Sequence, residues 1–182
     1  MRIVKDIDYA KIDLLVLDVD GVMTDGGIML TPSGEEIKTF HSRDGAGMRY
    51  WQRAGGRIAI LTGRSSPAVE RRAKDLGVDC LRLGLKDKLP AYLEVLRELG
   101  VSQDRAAVMA DDLPELPLLR RCGFPVAVAD AVPEVRAAAA YVTKTPGGHG
   151  AVREVIELVL RSCGKWERLL DRYMVEGDAA AP

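Results

Sequence analysis

The sequence predicts an α/β fold in which a parallel sheet carries helices on both faces. Short apolar runs typical of strands alternate along the chain with segments whose apolar residues recur at helical spacing. Polar residues follow three of these strands, namely Asp18 and Asp20, residues 62–64, and Asp111 with Asp112. Because ligands of such sheets bind beyond the carboxyl ends of the strands, these residues mark one candidate site.

The predicted strands of the sheet are apolar runs of ordinary strand length. They span residues 12–18, 57–61, 79–83, 106–110, 124–129 and 141–143. An early hairpin interrupts this pattern, because residues 27–31 and 36–40 alternate around a turn that contains Pro and Gly. We expect this insertion, over about residues 27–40, to lie beside the site.

The predicted helices lie between the strands. Asp44 is the expected N-cap of the first helix, and Gly77 is well placed to end the second. Pro114 begins the fourth helix, where a missing N–H costs little. Gly147-Gly148-His149-Gly150 is interpreted as a flexible turn before the last helix, whose pattern continues past Gly164. Helices are expected over residues 44–54, 67–76, 89–99, from 114 onwards, over 133–139, and as a C-terminal helical tail over about 150–175.

Composition narrows the class of protein. The chain has 182 residues, of which 47% are hydrophobic and 29% charged, which predicts one globular domain over residues 1–182. A formal net charge of −1 favours no general binding to nucleic acid or to anionic membranes. Three scattered cysteines match no zinc or disulfide pattern. With no apolar leader or membrane-length run, we expect a cytoplasmic protein whose tail, residues 176–182, is frayed.

Asp18 and Asp20 predict a metal site. Residues i and i+2 of a strand point the same way, so both carboxylates leave the sheet edge together, and Gly21 permits a sharp turn after them. Such a pair repels unless a cation intervenes, and Mg²⁺ suits oxygen ligands and phosphate. Asp111 is the expected third ligand, with Asp112 and Glu115 orienting metal-bound waters.

The same residues are suited to phosphoryl transfer. Asp18 is the candidate nucleophile that forms an aspartyl-phosphate, and Asp20 is the candidate acid and base for the leaving alkoxide and the water. Thr62 offers a hydroxyl and a backbone N–H to a phosphoryl oxygen. Lys88 is the candidate for a positive charge at the phosphoryl group, although Lys86 competes with it on sequence alone.

The ordered motifs resemble those of haloacid dehalogenase (HAD) superfamily phosphatases. They are Asp18-Val19-Asp20-Gly21, Leu61-Thr62-Gly63-Arg64, Lys88 and Ala110-Asp111-Asp112. Three further segments, residues 40–45, 126–131 and 147–154, resemble more closely the 3-deoxy-D-manno-octulosonate 8-phosphate (KDO 8-phosphate) phosphatases. The resemblance covers roughly residues 10–165.

This resemblance implies a Rossmann-like HAD fold with a small hairpin in place of a cap domain, and a Mg²⁺-dependent phosphatase of lipopolysaccharide precursor synthesis. It implies Asp18, Asp20 through its backbone carbonyl, and Asp111 as metal ligands, with Lys88 and Thr62 on the phosphate. It also implies a homotetramer built from the hairpins. The residues that it assigns to the substrate are His41, Ser42, Arg43, Asp44, Gly45, Gly63, Arg64 and Arg72.

Three positions depart from the family pattern. Ala110 replaces a usual Gly, Glu115 a usual Asp, and His149 a frequent Arg. The change at His149 leaves a nonulosonate (sialic acid type) 9-phosphate as an alternative substrate. Glu115 and Ala110 leave open a catalytically inactive protein of the same fold. A signalling receiver domain is a third reading, but its acceptor Asp follows the third strand, whereas here the acidic pair follows the first.

Overall fold

The computed structural model describes residues 7–174, and its centre is a six-stranded parallel sheet. The strands are β1 (Leu14–Leu17), β2 (Met29–Leu30), β3 (Glu36–Ile37), β4 (Arg57–Leu61), β5 (Cys80–Arg82), β6 (Ala106–Ala110), β7 (Phe124–Ala127) and β8 (Tyr141–Val142). The spatial order of the sheet is β5-β4-β1-β6-β7-β8, and the two further strands, β2 and β3, form a separate antiparallel pair. The predicted α/β fold is confirmed.

The sheet order places β1 at the point where the chain changes direction. From β1 the chain builds outwards through β4 and β5, then returns to the other side of β1 as β6. The register pairs Leu17 with Ile60 of β4 and with Met109 of β6. The residues that follow β1 and β6 therefore emerge side by side, at the position where open α/β sheets bind their ligands.

Seven α-helices are found in the described part of the chain: α1 (Ser42–Arg53), α2 (Pro67–Leu76), α3 (Lys88–Leu99), α4 (Leu116–Leu119), α5 (Pro133–Ala138), α6 (Ala151–Ser162) and α7 (Lys165–Met174). One group of contacts links α1, α2, α6 and α7, and another links α3, α4 and α5, which gives a helical layer on each face. No helix within residues 7–174 has the length and apolarity needed to cross a membrane.

The core lies between the sheet and these layers. Every residue of β1, β6 and β7 is buried, as is expected of strands covered on both faces. Trp51 and Trp166 are both buried. The indole of Trp51 donates to the backbone oxygen of Arg57 at 2.8 Å, which joins the end of α1 to the start of β4.

Three predictions about helix ends are wrong. Helix α1 begins at Ser42 with His41 as its N-cap, so Asp44 lies within its first turn. The C-terminal helix is two helices, because Gly164 adopts φ 67° between α6 and α7. The helix expected from Pro114 is a 3₁₀ turn (Leu113–Glu115) followed by the single turn of α4. The frayed tail predicted at 176–182 lies outside the described residues.

The predicted hairpin is confirmed, although its paired part is shorter than expected. Met29 pairs with Ile37, and Leu30 pairs with Glu36. Its apolar side chains face outwards: Met29 and Leu30 are each 60% exposed, and Ile28 and Ile37 are exposed as well. The hairpin therefore adds an apolar surface to the fold.

Candidate active site

Asp18 and Lys88 form a buried ion pair at the carboxyl edge of the sheet. Asp18 follows β1, and its Oδ1 accepts a hydrogen bond from the Nζ of Lys88 at 2.6 Å. Lys88 is the first residue of α3, whose N-cap, Asp87, accepts from the backbone N–H of Leu89 at 3.0 Å. Lys86 is exposed, so the structure directs Lys88, and not its competitor, into the site.

Three carboxylates converge around this pair. Asp18, Asp111 and Glu115 each offer an oxygen, and these oxygens all lie within 4.8 Å of one another. Glu115 also forms an ion pair with Lys88. Within residues 7–174, the buried Oδ1 of Asp111 has no hydrogen-bond partner. A buried acceptor without a donor, beside two further carboxylates, fits a cation that prefers oxygen ligands.

The pKa values of these groups follow from their crowding. Burial, together with the negative charges of Asp18 and Glu115, raises the pKa of Asp111 to about 7. Burial also raises the pKa of Asp18 and of Glu115, against the attraction of Lys88. For Lys88, burial lowers the pKa, but Asp18 and Glu115 outweigh it and the net direction is upwards. The lysine therefore stays charged.

Gly21 is required by the position of Asp111. Its φ is +84°, and a Cβ atom there would lie 2.0 Å from the Oδ2 of Asp111. Only glycine adopts this conformation readily and leaves room for the carboxylate. The turn after β1 and the carboxylate after β6 are therefore packed directly against each other.

The glycine-rich turn at residues 147–150 holds the loop after β1 in place. Gly148 donates its backbone N–H to the oxygen of Val22 at 3.0 Å, and Gly147 donates to Asp130 at 3.0 Å. A Cβ on Gly147 would lie 1.7 Å from the backbone oxygen of Gly21. We expected a flexible turn, but hydrogen bonds and close backbone contacts anchor it.

Asp20 is held by a lysine of the hairpin. Lys38 forms an ion pair with the Oδ1 of Asp20 and lies 3.3 Å from Glu36, and its side chain is only 1% exposed. Glu36 in turn accepts from Arg64 at 2.9 Å. The network Asp20–Lys38–Glu36–Arg64 joins the hairpin to the loops after β1 and β4. The sequence analysis missed Lys38 and Glu36, because one charged pair in an alternating hairpin has no distinguishing pattern.

Thr62 lies buried at the end of β4. Of the two groups predicted to bind a ligand, its hydroxyl and its backbone N–H, only the hydroxyl is available. Its backbone N–H donates to the oxygen of Arg82 at 3.0 Å, as part of the sheet edge. The expectation that this N–H binds a phosphoryl oxygen is therefore wrong. The Oγ1 of Thr62 accepts from the backbone N–H of Arg64 at 3.4 Å, which leaves its proton free to be donated. Gly63 is exposed beside it.

The residues assigned to the substrate fall into two groups. His41, Gly45 and Arg72 lie near one another: a Cβ on Gly45 would lie 2.3 Å from the Nη2 of Arg72, whose guanidinium stacks 5.7 Å above the Phe40 ring. Within the described residues, the buried His41 Nδ1 and Arg72 Nε have no hydrogen-bond partner. The exposed members of the set are Ser42, Arg43, Gly63 and Arg64.

Asp44 is directed away from solvent and supports another helix. Its Oδ1 accepts from the backbone N–H of Arg153 at 2.7 Å, at the start of α6. The N-cap of α6 is Gly150, which has no side chain to cap it, so Asp44 supplies the missing acceptor from α1. Burial raises the pKa of Asp44, while these backbone donors and His41 lower it.

The two remaining acidic predictions differ in outcome. Asp112 is exposed, and it accepts from the N–H of Leu113 at 2.8 Å, so it caps its own 3₁₀ turn. Glu115, expected behind the metal ligands, reaches the carboxylate cluster itself because its side chain is one methylene longer than Asp. Ala110 is fully buried in β6, whereas His149 is exposed.

Comparisons with known proteins agree with this geometry. Residues 84–156 match the family model of haloacid dehalogenase-like hydrolases. A 3-deoxy-D-manno-octulosonate 8-phosphate phosphatase of Yersinia pestis is 46% identical over 158 residues, which cover 87% of this chain and 84% of that protein. The fold and its acidic strand ends thus define a haloacid dehalogenase-like hydrolase.

Solved structures indicate which family of haloacid dehalogenase-like hydrolases the chain resembles. The crystal structure of the Moraxella catarrhalis phosphatase in complex with magnesium, phosphate and KDO is 38% identical, covers 91% of this chain and 97% of that one, and superposes with a TM-score of 0.88. The cobalt-bound Haemophilus influenzae phosphatase is 39% identical, with coverages of 86% and 92% and a TM-score of 0.84. The chain belongs to the KDO 8-phosphate phosphatase family.

Proposed function

We propose that this protein is a Mg²⁺-dependent phosphomonoesterase that hydrolyses KDO 8-phosphate to KDO and phosphate. The observation that carries the proposal is the buried group of Asp18, Lys88, Asp111 and Glu115 at the sheet's switch point, in a chain of this family. A nucleophilic carboxylate, a fixed positive charge and an unsatisfied acceptor for a cation are what phosphoryl transfer requires.

Asp18, Asp111 and the backbone carbonyl of Asp20 would hold the Mg²⁺ ion, with Glu115 and Asp112 beside it to orient its waters. The unpartnered Oδ1 of Asp111 supports this assignment. When bound, Mg²⁺ neutralises charge on the transferring phosphoryl group. Lys88 supplies the charge that the protein itself provides at the same place, 2.6 Å from Asp18.

In the first half of the reaction, an Asp18 oxygen attacks phosphorus and the bond from phosphorus to the C8 oxygen breaks. Asp20 donates a proton to that oxygen, so KDO leaves as an alcohol and an aspartyl-phosphate remains. Lys88 keeps its charge in this buried position, because two carboxylates raise its pKa. The Thr62 hydroxyl donates to a phosphoryl oxygen.

In the second half, Asp20, now a carboxylate, accepts a proton from a water molecule. The water oxygen attacks phosphorus, the bond between phosphorus and Asp18 breaks, and inorganic phosphate leaves. Asp18 returns to a carboxylate and Asp20 to its protonated form, so the cycle closes. One carboxyl group thus serves as acid and then as base.

The sugar acid is assigned to the two groups of residues beyond the cluster. Arg72 has a buried Nε without a partner in residues 7–174, which suits a substrate carboxylate or phosphate. Gly45 lies beside it, and the backbone N–H of Gly45 donates to the oxygen of His41 at 3.3 Å. We assign the substrate's exposed side to Ser42, Arg43, Gly63 and Arg64. Asp44 acts there through the start of α6 rather than by direct contact.

Replacing the nucleophile tests the proposal. Purified protein is assayed for phosphate release from KDO 8-phosphate, from a nonulosonate 9-phosphate and from common sugar phosphates, with Mg²⁺ or with EDTA. We expect activity on KDO 8-phosphate that requires Mg²⁺, and a loss of at least about 10³-fold in D18N. D75N, which alters an exposed helix carboxylate, is the matched control. A comparable rate in D18N and wild type would exclude Asp18 as the nucleophile.

The competing substrate and the inactive-protein hypothesis lose support. The relatives compared here are named for KDO 8-phosphate, and none of them favours a nonulosonate phosphate. Asp18, Asp20, Lys88 and Asp111 are all present, so the catalytic set is complete. The receiver-domain hypothesis does not fit, because the acidic groups follow β1 and β6.

We further propose a single cytoplasmic hydrolase domain that acts in lipopolysaccharide precursor synthesis and assembles as a homotetramer. The exposed apolar side chains of Ile28, Met29, Leu30 and Ile37 on the hairpin support self-association. Sedimentation analysis of wild type and of the double variant M29K/L30K tests it. A tetramer that dissociates in the variant supports the proposal, and a wild-type monomer contradicts it.

A further inference from the structure

We propose that Lys38 is a positioning residue for Asp20, which fixes the oxygen that exchanges protons during catalysis. This inference rests on the proposed function, because it concerns how the acid and base of that reaction is held. Lys38 comes from the hairpin and not from any strand of the sheet. Its ion pair joins the hairpin to the turn after β1.

The burial of Lys38 restricts its ammonium group to partners within the protein. Its side chain is almost fully buried, so its ammonium group must be paired within the protein. The pairing is with the Oδ1 of Asp20 on one side and with Glu36, 3.3 Å away, on the other. A buried lysine between two carboxylates has few rotamers open to it, so it acts as a fixed donor.

Glu36 is itself held by Arg64, through the same Oε1 atom that faces Lys38. The guanidinium of Arg64 contributes two contacts to the same oxygen of Glu36, from Nε at 3.1 Å and from Nη2 at 2.9 Å. Arg64 belongs to the loop after β4, so the network is supported by the sheet as well as by the hairpin. The ammonium group of Lys38 is thus fixed by Asp20 after β1 and by Glu36, which Arg64 holds in place.

As a consequence, the two carboxyl oxygens of Asp20 have different roles. Lys38 binds Oδ1, which stops the carboxyl group from rotating, and Oδ2 is the oxygen that gives its proton to the leaving alkoxide and later takes one from water. General acid and base catalysis depends on a donor held within hydrogen-bond reach, and it contributes about 10²- to 10⁴-fold. Lys38 does not touch the phosphoryl group in this scheme, where Lys88 supplies the charge.

The test compares K38M with wild type, K38R and K74M, the last being an exposed lysine of α2. Each is assayed in the first turnover on KDO 8-phosphate, whose alkoxide needs a proton, and on p-nitrophenyl phosphate, whose phenolate leaves without one. For KDO 8-phosphate we expect K38M to lower the rate constant of the first turnover about 10²-fold or more, with the half-saturating substrate concentration within about threefold of wild type. For p-nitrophenyl phosphate the loss should be less than about tenfold, and K38R should restore part of the difference.

Other outcomes have distinct meanings. An equal loss of the first-turnover rate on both substrates means that Lys38 serves the phosphoryl group or the fold. A rise in the half-saturating substrate concentration with an unchanged first-turnover rate means that Lys38 binds substrate. Either result overturns the proposal. Thermal unfolding of K38M identifies loss of structure, and K38R then carries the test. A wild-type protein without activity on KDO 8-phosphate would contradict the proposed function, whereas an active K38M with an unchanged first-turnover rate contradicts only this inference.

Discussion

Lys88 neutralises the buried carboxylates, and K88M should therefore make the metal-free protein markedly less stable. In wild type the ammonium group lies 2.6 Å from Asp18 and pairs with Glu115. Methionine retains the length of the side chain but removes the charge. Asp18, Asp111 and Glu115 would then face one another without any compensating cation.

The size of the effect follows from the distances. Two ionised carboxylates whose oxygens lie within 4.8 Å of each other repel by at least about 3.5 kcal/mol at an effective dielectric constant of about 20. Asp111 relieves part of this repulsion, because with a pKa of about 7 it is half protonated near neutrality. Breaking a buried ion pair by removing one partner costs about 3–5 kcal/mol, and we expect K88M to lose this much free energy of unfolding.

Urea unfolding at pH 7.5, with EDTA and again with Mg²⁺, measures the effect. The deficit of K88M should be large in EDTA and much smaller in Mg²⁺, because the ion replaces the lost positive charge. K86M, which changes the exposed lysine two residues earlier, should match wild type in both buffers. Equal unfolding midpoints for K88M and K86M in EDTA would refute the electrostatic reasoning.

Three further predictions concern the metal site and its support. G21A should weaken Mg²⁺ binding, measured by calorimetry, more than tenfold, because its Cβ would lie 2.0 Å from Asp111. The control is G34A, at a glycine with a similar φ of +86° and open space around it. It should cost only about 1–2 kcal/mol of backbone strain and leave the Mg²⁺ affinity intact. Because the pKa of Asp111 is raised to about 7, the apparent Mg²⁺ affinity should fall about tenfold for each unit of pH below 7, and an affinity that is flat from pH 5.5 to 7 would contradict this. D44A should lower the free energy of unfolding by about 1–3 kcal/mol in urea titrations, because α6 loses its acceptor, and unchanged stability would show that Asp44 does not cap α6.

The sheet and much of the site were predictable because they depend on local pattern and on one topological rule. Apolar runs indicate the strands, and the rule that parallel strands place their carboxyl ends at one edge predicts that Asp18 and Asp111 lie together, as they do. Lys88 was predictable as a candidate because it precedes a helical pattern. Choosing it over Lys86 required the structure, since both are lysines near the start of α3.

The remaining features depend on contacts between distant segments. Lys38 pairs with Asp20 from 18 residues away, and Asp44 caps a helix 109 residues further along the chain. Nothing within either local segment indicates these partners. The Thr62 N–H was assigned to a ligand because the sequence does not show that β5 extends far enough to bind it. Such errors arise where tertiary contacts compete with a local motif.

The contact between residues 147–148 and the turn after Asp20 has a consequence for the order in which the site forms while the protein is translated. Gly148 bonds to Val22, and Gly147 fits against Gly21 with no space for a side chain. All the acidic groups of the site precede residue 147 in the chain, but the loop that carries Asp20 acquires its final support only when this later segment docks. A nascent chain that ends before residue 147 should therefore carry the ligands without the geometry to use them.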